Sequence, residues 1–315
     1  MIAMPKTLST PTPNLVWGWG SRVKKLIVIL GPTASGKSNL AVKIAKKFNG
    51  EIVSADSRQV YKDMDIGTGK ITRKEMQGVP HHLLDVASLK RRFTVVQYRK
   101  LALKAINKIL KKGKVPILCG GTGFYIQAVV DGIVIPEIPP DWKLRKELEK
   151  KTAEELFREL KKLDPQRAKT IESKNKRRLI RALEIVKKIG RVPIFKKEPL
   201  PHPILMIGIK KEKKELNSLI KKRFLKWLKM GLIAEVKKLK KSGLSWKRIE
   251  DFGIHYRVIA QYLQNKISYK EMIESSLREL QNYAKRQMTW WKSDKRIHWV
   301  NNRREAEKLV KEFLV

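Results

Sequence analysis

Three short stretches hold residues whose types and spacing could do chemistry. The first is Gly31-Pro32-Thr33-Ala34-Ser35-Gly36-Lys37-Ser38, which meets the pattern GxxxxGK[ST] at every fixed position. Glycines at those places let backbone N–H groups turn inward around an anion. Lys37 can then reach the outer phosphate oxygens, and the Ser38 hydroxyl can ligate Mg2+. A group carrying at least two phosphates fits such a loop. The second stretch is Asp56-Ser57-Arg58-Gln59-Val60-Tyr61. Asp56 suits a metal ligand or a base that takes a proton from an attacking group, and equally a plain helix cap. Spacing leaves all of these open. The third is Gly120-Gly121-Thr122-Gly123, where backbone N–H groups and the Thr122 hydroxyl could face an anion, or the glycines could simply turn the chain.

Each stretch follows an apolar run of strand length, at residues 26–30, 51–55 and 115–119. After the first loop Leu40, Ala41, Ile44 and Ala45 recur at helical spacing, so strand, loop and helix come in the order a phosphate site requires. In an open α/β sheet ligands gather at the carboxyl ends of strands, which puts Asp56 and Thr122 in one crevice with the loop. The expected fold class is therefore α/β: a P-loop NTPase-like parallel sheet flanked by helices.

Further along, residues 93–112 carry one apolar stripe, Tyr98 to Leu110, and stop at Gly113, as an amphipathic helix does. Past Tyr125 the pattern changes. Three charged helices are expected at 141–151, 152–163 and 175–189, before a strand returns at 204–209. Residues 125–199 thus form a helical insertion domain. The core comprises 23–124 and 200–315, and its C-terminal part is largely helical and basic. Helices are expected at 213–230, 232–241, 249–263 and 268–291, then an edge strand at 298–300 and a closing helix at 303–314. Residues 1–22, broken by Pro5, Pro11 and Pro13, read as a flexible extension and not a secretory signal.

Composition narrows the partners. The 315 residues hold 71 Lys+Arg against 30 Asp+Glu, a net charge of +41. That excess points to a polyanion, nucleic acid first, although many of these lysines simply solvate helix faces. Aromatics such as Trp227, Tyr256, Tyr283 and Trp290 are interleaved with the basic residues. Such surfaces stack and neutralise single-stranded nucleic acid, though at least half of these rings are expected in the core. No apolar run approaches the ~20 residues of a membrane span. The single cysteine, Cys119, permits neither a disulfide framework nor a cysteine zinc site, and it is given no chemistry. His81 and His82 are adjacent, so their side chains point to opposite faces of a strand and do not form a metal pair. A cytoplasmic protein is expected.

The motifs GPTASGKS (31–38), DSRQVY (56–61), MDIGTGK (64–70), PHHLLD (80–85), CGGTGFY (119–125), NKRRLIRALE (175–184) and AKRQMTW (284–290) form a series. In that series the chain resembles the tRNA dimethylallyltransferases, which prenylate the adenosine just 3′ of the anticodon. The resemblance covers nearly everything from residue 24 to about residue 300. It implies that residues 31–38 hold dimethylallyl diphosphate, with Mg2+ at Ser38. It implies that Asp56 is the base for the adenine amine and that Thr122 contacts the reacting groups. It places tRNA, through its anticodon stem-loop, on Asp56, Ser57, Arg58, Gln59, Thr122, Arg145, Arg177, Arg178, Arg181 and the segment 252–257 with Tyr256 and Arg257. A monomer is expected. Two departures stand out: GTGK replaces the commoner GTAK, and His255 stands where the family usually has glycine before Tyr-Arg or Tyr-Lys. Two other classes share parts of this pattern. A small-molecule kinase would share the loop and sheet but not need basic aromatic helices. An RNA-binding protein without activity would not need a complete phosphate loop.

Overall fold

The computed structural model describes residues 24–133, 138–193 and 198–315. The chain begins with β1 (Leu26–Leu30), α1 (Lys37–Lys47), β2 (Gly50–Ser54), α2 (Arg73–Met76), β3 (His81–His82), α3 (Val95–Lys111), β4 (Val115–Gly120) and α4 (Gly123–Val130). Four helices follow, α5 (Trp142–Leu148), α6 (Ala153–Leu163), α7 (Pro165–Thr170) and α8 (Lys176–Ile189), before β5 (Ile204–Ile209). It closes with α9 (Lys213–Lys229), α10 (Leu232–Lys241), α11 (Trp246–Asp251), α12 (Ile254–Leu263), α13 (Tyr269–Trp291), β6 (Ile297–Val300) and α14 (Arg303–Leu314).

The strands form one sheet of order β3-β2-β4-β1-β5-β6, and every neighbouring pair is parallel. β1 lies between β4 and β5 and is buried along its whole length. Its alternate residues serve two cores. Leu26, Val28 and Leu30 join side chains of α3, α4 and α9–α13, whereas Ile27 and Ile29 join those of α1 and α14. A strand covered on both faces reads as an unbroken apolar run, and each such side chain contributes about 1.5–3 kcal/mol on burial. The register sets Cys119 of β4 beside Ser54 of β2 and Ile29 of β1, so the three strands end side by side. Their loops meet above that edge.

Helices α5–α8 have a separate core that includes Leu148, Leu156, Leu160, Leu179, Leu183 and Val186. The expected boundary at residue 125 falls inside α4, whose Tyr125, Ile126, Val129 and Val130 pack in the main core. The extra helix here, α7, has only six residues, too few to show a period; Pro165 and the Asp164 cap on Arg167 N start it. The expected helix 249–263 likewise divides into α11 and α12, because Gly253 takes φ 73 between them. The extension 1–22 lies outside the described residues. Among the described residues no helix is long and apolar enough to cross a membrane.

Candidate active site

The phosphate loop joins β1 to α1. Gly36 caps α1 at φ 88, a left-handed conformation that suits glycine, and contributes no side-chain cap. The first turn of α1 carries no acidic residue, so its backbone N–H groups and the positive end of its dipole are left for an anion. Lys37 Nζ folds back to donate to Pro32 O at 3.3 Å. Burial pushes the Lys37 pKa down, and the neighbouring Arg223 pushes the same way. An incoming diphosphate would relieve both.

Asp56 stands just beyond β2. Its Oδ1 accepts from Arg58 N at 2.8 Å and from Gln59 N at 3.3 Å, so it does cap a turn. Those bonds fix the carboxylate by one oxygen. Oδ2 makes no hydrogen bond among the described residues and remains for a ligand. Asp56 is close enough to Lys37 and Arg223 to favour the charged form of each. Thr122 links the second and third loops: its Oγ1 accepts from Ser57 N at 3.0 Å, and its own N–H donates to Ala55 O at 3.1 Å. Gly121 is needed for close approach, since a Cβ there would lie 2.3 Å from Gln287 Nε2.

Three residues that sequence reasoning did not place at the site complete it. Gln287 of α13 accepts from Thr33 N at 2.8 Å and donates to Gly121 O at 2.7 Å, tying the phosphate loop to the glycine loop. Arg223 of α9 donates to Thr33 Oγ1. It makes no ion pair among the described residues, and burial brings its pKa down to about 10, so it stays a cation in want of an anion. Tyr283, one turn before Gln287, lies near Thr122; burial raises its pKa, and Asp56 adds to the rise. The motif 284–290 had included Gln287, but nothing local says where its amide points.

The expected RNA contacts separate into groups. Arg58 and Arg257 converge, since a Cβ on Gly253 would lie 3.6 Å from Arg257 Nη2 and 4.0 Å from Arg58 Nη2. Arg177 and Arg178 are exposed on α8. Arg145 and Arg181 are instead committed to the buried Glu184. Arg145 grips it with Nε and Nη2, both at 2.7 Å, and Arg181 Nη1 adds 2.8 Å. Tyr256 departs from expectation. It is 2% exposed and its hydroxyl donates to Glu235 at 2.7 Å, so it supports the fold and offers no surface to RNA. Glu235 also accepts from Asp65 N, Ile66 N and Gly67 N, which anchors the segment 64–70. Gln59 faces the same segment, donating to Thr68 O and Gly69 O at 3.2 Å each.

The remaining candidates are structural. His82 Nε2 meets the buried Glu51 at 2.8 Å, beside Lys112 and Lys114. Despite its burial, those three partners hold the Glu51 carboxyl down at about 2. Burial pushes the Cys119 thiol up to about 12, which leaves it unreactive.

A phosphate loop after the central strand, with a fixed carboxylate and a hydroxyl on the next two strand ends, defines an α/β enzyme of the P-loop NTPase type. The sequence family described as IPP transferase matches residues 59–294. A tRNA dimethylallyltransferase of Acetivibrio thermocellus is 40% identical over 298 residues, 91% of this chain and 95% of its own. The tRNA isopentenylpyrophosphate transferase of Bacillus halodurans has the same architecture, with a TM-score of 0.71, 36% identity and coverage of 92% and 97%. A eukaryotic dimethylallyltransferase studied acting on tRNA superposes with a TM-score of 0.76 at 27% identity, over 92% of this chain and 77% of its own. The chain belongs to the tRNA dimethylallyltransferase family.

Proposed function

We propose that this enzyme transfers the dimethylallyl group of dimethylallyl diphosphate to the exocyclic amine of the adenosine just 3′ of the anticodon, releasing diphosphate. The observation that carries this reading is the placement of Asp56 beside two cations, Lys37 of the phosphate loop and Arg223 of α9. Cleavage of an allylic C–O bond gathers negative charge on the diphosphate oxygens. Fixed N–H donors of α1, Lys37 and Arg223 stabilise that charge without reorganising. Adenine's amine is a poor nucleophile, and Asp56, oriented through Oδ1, presents Oδ2 to take its proton. Thr122 lies beside it, held by Ser57 N, and Tyr283 is close by. Adenine reaches this crevice only out of its stack, at a cost of a few kcal/mol. Phosphate contacts from Arg58, Arg257, Arg177 and Arg178 offset it.

Mg2+ fits the donors present. The Ser38 hydroxyl is exposed at the start of α1 and makes no hydrogen bond among the described residues. No cluster of three or more His, Cys, Asp or Glu suited to a metal occurs among them either. A hard cation held by one hydroxyl, water and diphosphate oxygens matches that donor set. It would supply charge neutralisation at the leaving group. A tRNA substrate supports action in the cytoplasm.

The test uses purified enzyme, Mg2+, an anticodon stem-loop and either dimethylallyl diphosphate or ATP. Mass spectrometry should find one dimethylallyl group on adenosine from the allylic donor alone. Asp56→Asn should lower turnover by roughly 10²–10⁴-fold, the range of a lost general base, while both substrates still bind. Consumption of ATP with no mass gain on the RNA would hand the site to a kinase.

A further inference from the structure

His255 is a buried titratable side chain that the transfer chemistry does not use. It is 3% exposed on the first turn of α12, and neither ring nitrogen has a partner at hydrogen-bond geometry. The ring is packed from two sides. On one side its centroid lies 5.4 Å from that of Trp227 and 6.3 Å from that of Phe224, both on α9. On the other is the segment 64–70, where a Cβ on Gly67 would fall 2.8 Å from His255 Nε2. Trp227 touches that segment as well, since a Cβ on Gly69 would fall 2.9 Å from its Cζ2. The indole face in turn carries the Arg223 guanidinium, 4.6 Å from its centroid, and Arg223 reaches Thr33 of the phosphate loop. Contact therefore runs from His255 through Trp227 and Arg223 to the loop.

We propose that His255 is a positioning residue for the diphosphate site, its ring wedging Trp227 against Arg223 so that the guanidinium meets the phosphate loop at a fixed angle. Arg223 has Asp56 nearby but makes no ion pair among the described residues. What holds its plane is the indole beneath and the Thr33 hydroxyl ahead, and a cation–π contact of about 0.5–2 kcal/mol orients only if the ring itself is immobile. Glycine at 255 would leave a ring-sized void beside Trp227, and residues lining a void lose contacts on that side. The wedge must also be uncharged, because a second cation beside Arg223 in an apolar box is disfavoured. Burial lowers the His255 pKa to about 3, so the ring is neutral at any working pH. The chain thus fills with histidine a place where glycine would have left Trp227 unsupported.

This inference rests on the reading of residues 31–38 as a diphosphate site, and the experiment separates the two. Inorganic diphosphate binding is measured by calorimetry for the wild type, His255→Ala and His255→Phe, each with Arg223 intact and in an Arg223→Ala background. Stem-loop affinity and thermal melting are recorded alongside. His255→Ala should weaken diphosphate roughly five- to tenfold, as for a desolvated cation–π contact partly lost. His255→Phe, which keeps a flat ring, should bind within about twofold of wild type. Stem-loop affinity should not change, and in the Arg223→Ala background His255→Ala should cost nothing further. If His255→Ala does not stay folded, His255→Leu, closer in volume but not flat, takes its place with the same expected loss. Wild-type affinity in the alanine or leucine variant, or an equal loss with Arg223 absent, would overturn the proposal. A wild-type enzyme that binds no diphosphate would overturn the site itself and this inference with it.

Discussion

Gln287 gives the sharpest test of how the catalytic loops are held. Its amide bridges Thr33 N and Gly121 O at 2.8 and 2.7 Å, and the residue is 6% exposed. Gln287→Ala leaves a donor and an acceptor without partners, each at about 1–3 kcal/mol when buried. Thr33 is partly exposed and water can reach its N–H, so the lower figure applies there, whereas Gly121 O is closed in and takes a middle value. The sum is about 3 kcal/mol, shared between global stability and loop alignment. If half of it falls on alignment, kcat/KM drops about tenfold. Gln287→Glu separates alignment from charge. One carboxylate oxygen still accepts from Thr33 N, but the other faces the Gly121 carbonyl, and a negative charge enters a loop built for diphosphate. Two like charges 4 Å apart repel by about 4 kcal/mol at the screening typical of such sites, so diphosphate affinity should fall at least 100-fold. The assay pairs calorimetric diphosphate binding with steady-state transfer to the stem-loop, each variant checked by melting. Full diphosphate affinity in Gln287→Glu, with only the melting point reduced, would refute the idea that this amide belongs to the site.

Lys37→Ala should abolish most diphosphate affinity and leave stem-loop affinity nearly intact, since Lys37 Nζ folds back onto the phosphate loop; equal losses in the two dissociation constants would merge the sites. If exposed arginines track RNA phosphates, log affinity should fall with log salt by about 0.7–0.9 per contact, and charge reversal at Arg177 and Arg178 should flatten that slope. Glu51 predicts an acid transition. Its folded carboxyl titrates at about 2, below the ordinary value near 4.3, so its stabilisation is full above that value and fades as the pH falls toward 2. Glu51→Gln should remove this part of the acid sensitivity in melts taken across that window. Glu184→Gln should destabilise by roughly 3 kcal/mol, because two arginines lose a buried carboxylate, and the loss should appear as early melting of α5–α8 by hydrogen exchange.

The order of the fold was legible because it is written locally. An apolar run of five residues, a glycine loop and a helical period suffice to set β1, the loop and α1, and the same logic placed Asp56 and Thr122 at neighbouring strand ends. The helix 303–314 was read to the residue, since its stripe and the Asn302 cap both mark it. What could not be read was contact at long range. Thr33 and Gln287 lie 254 positions apart, and Arg223 reaches Thr33 across 190. No spacing rule connects them. Burial was the second blind spot. Tyr256 beside Arg257 has the composition of an RNA-binding pair, yet one ring turns inward to Glu235 and only the arginine approaches Arg58. Arg145 and Arg181 show the same ambiguity: an arginine that grips RNA and one that grips Glu184 are identical in sequence.

The placement of α13 argues against dividing the molecule into a catalytic sheet and a separate RNA-binding cover. Tyr283, Gln287 and Trp290 fall at i, i+4 and i+7, hence on one face of the helix. Tyr283 lies near Thr122, Gln287 joins Thr33 to Gly121, and Trp290 presses on Gly123, where a Cβ would come within 2.5 Å of its ring. The outward side of the same helix shows Lys285, Arg286, Thr289 and Lys292 to solvent. One helix therefore braces the phosphate loop and the glycine loop from its inner face and exposes cations on its outer face. A force on the outer face is transmitted to the loops without any hinge between. Where the outer cations meet RNA phosphates, they do so on the element whose Gln287 keeps the phosphate loop and the glycine loop in register. A loss of RNA contact on this helix should then register in the chemistry as well as in affinity, whereas the same loss on α8, which packs in its own core, should register in affinity alone.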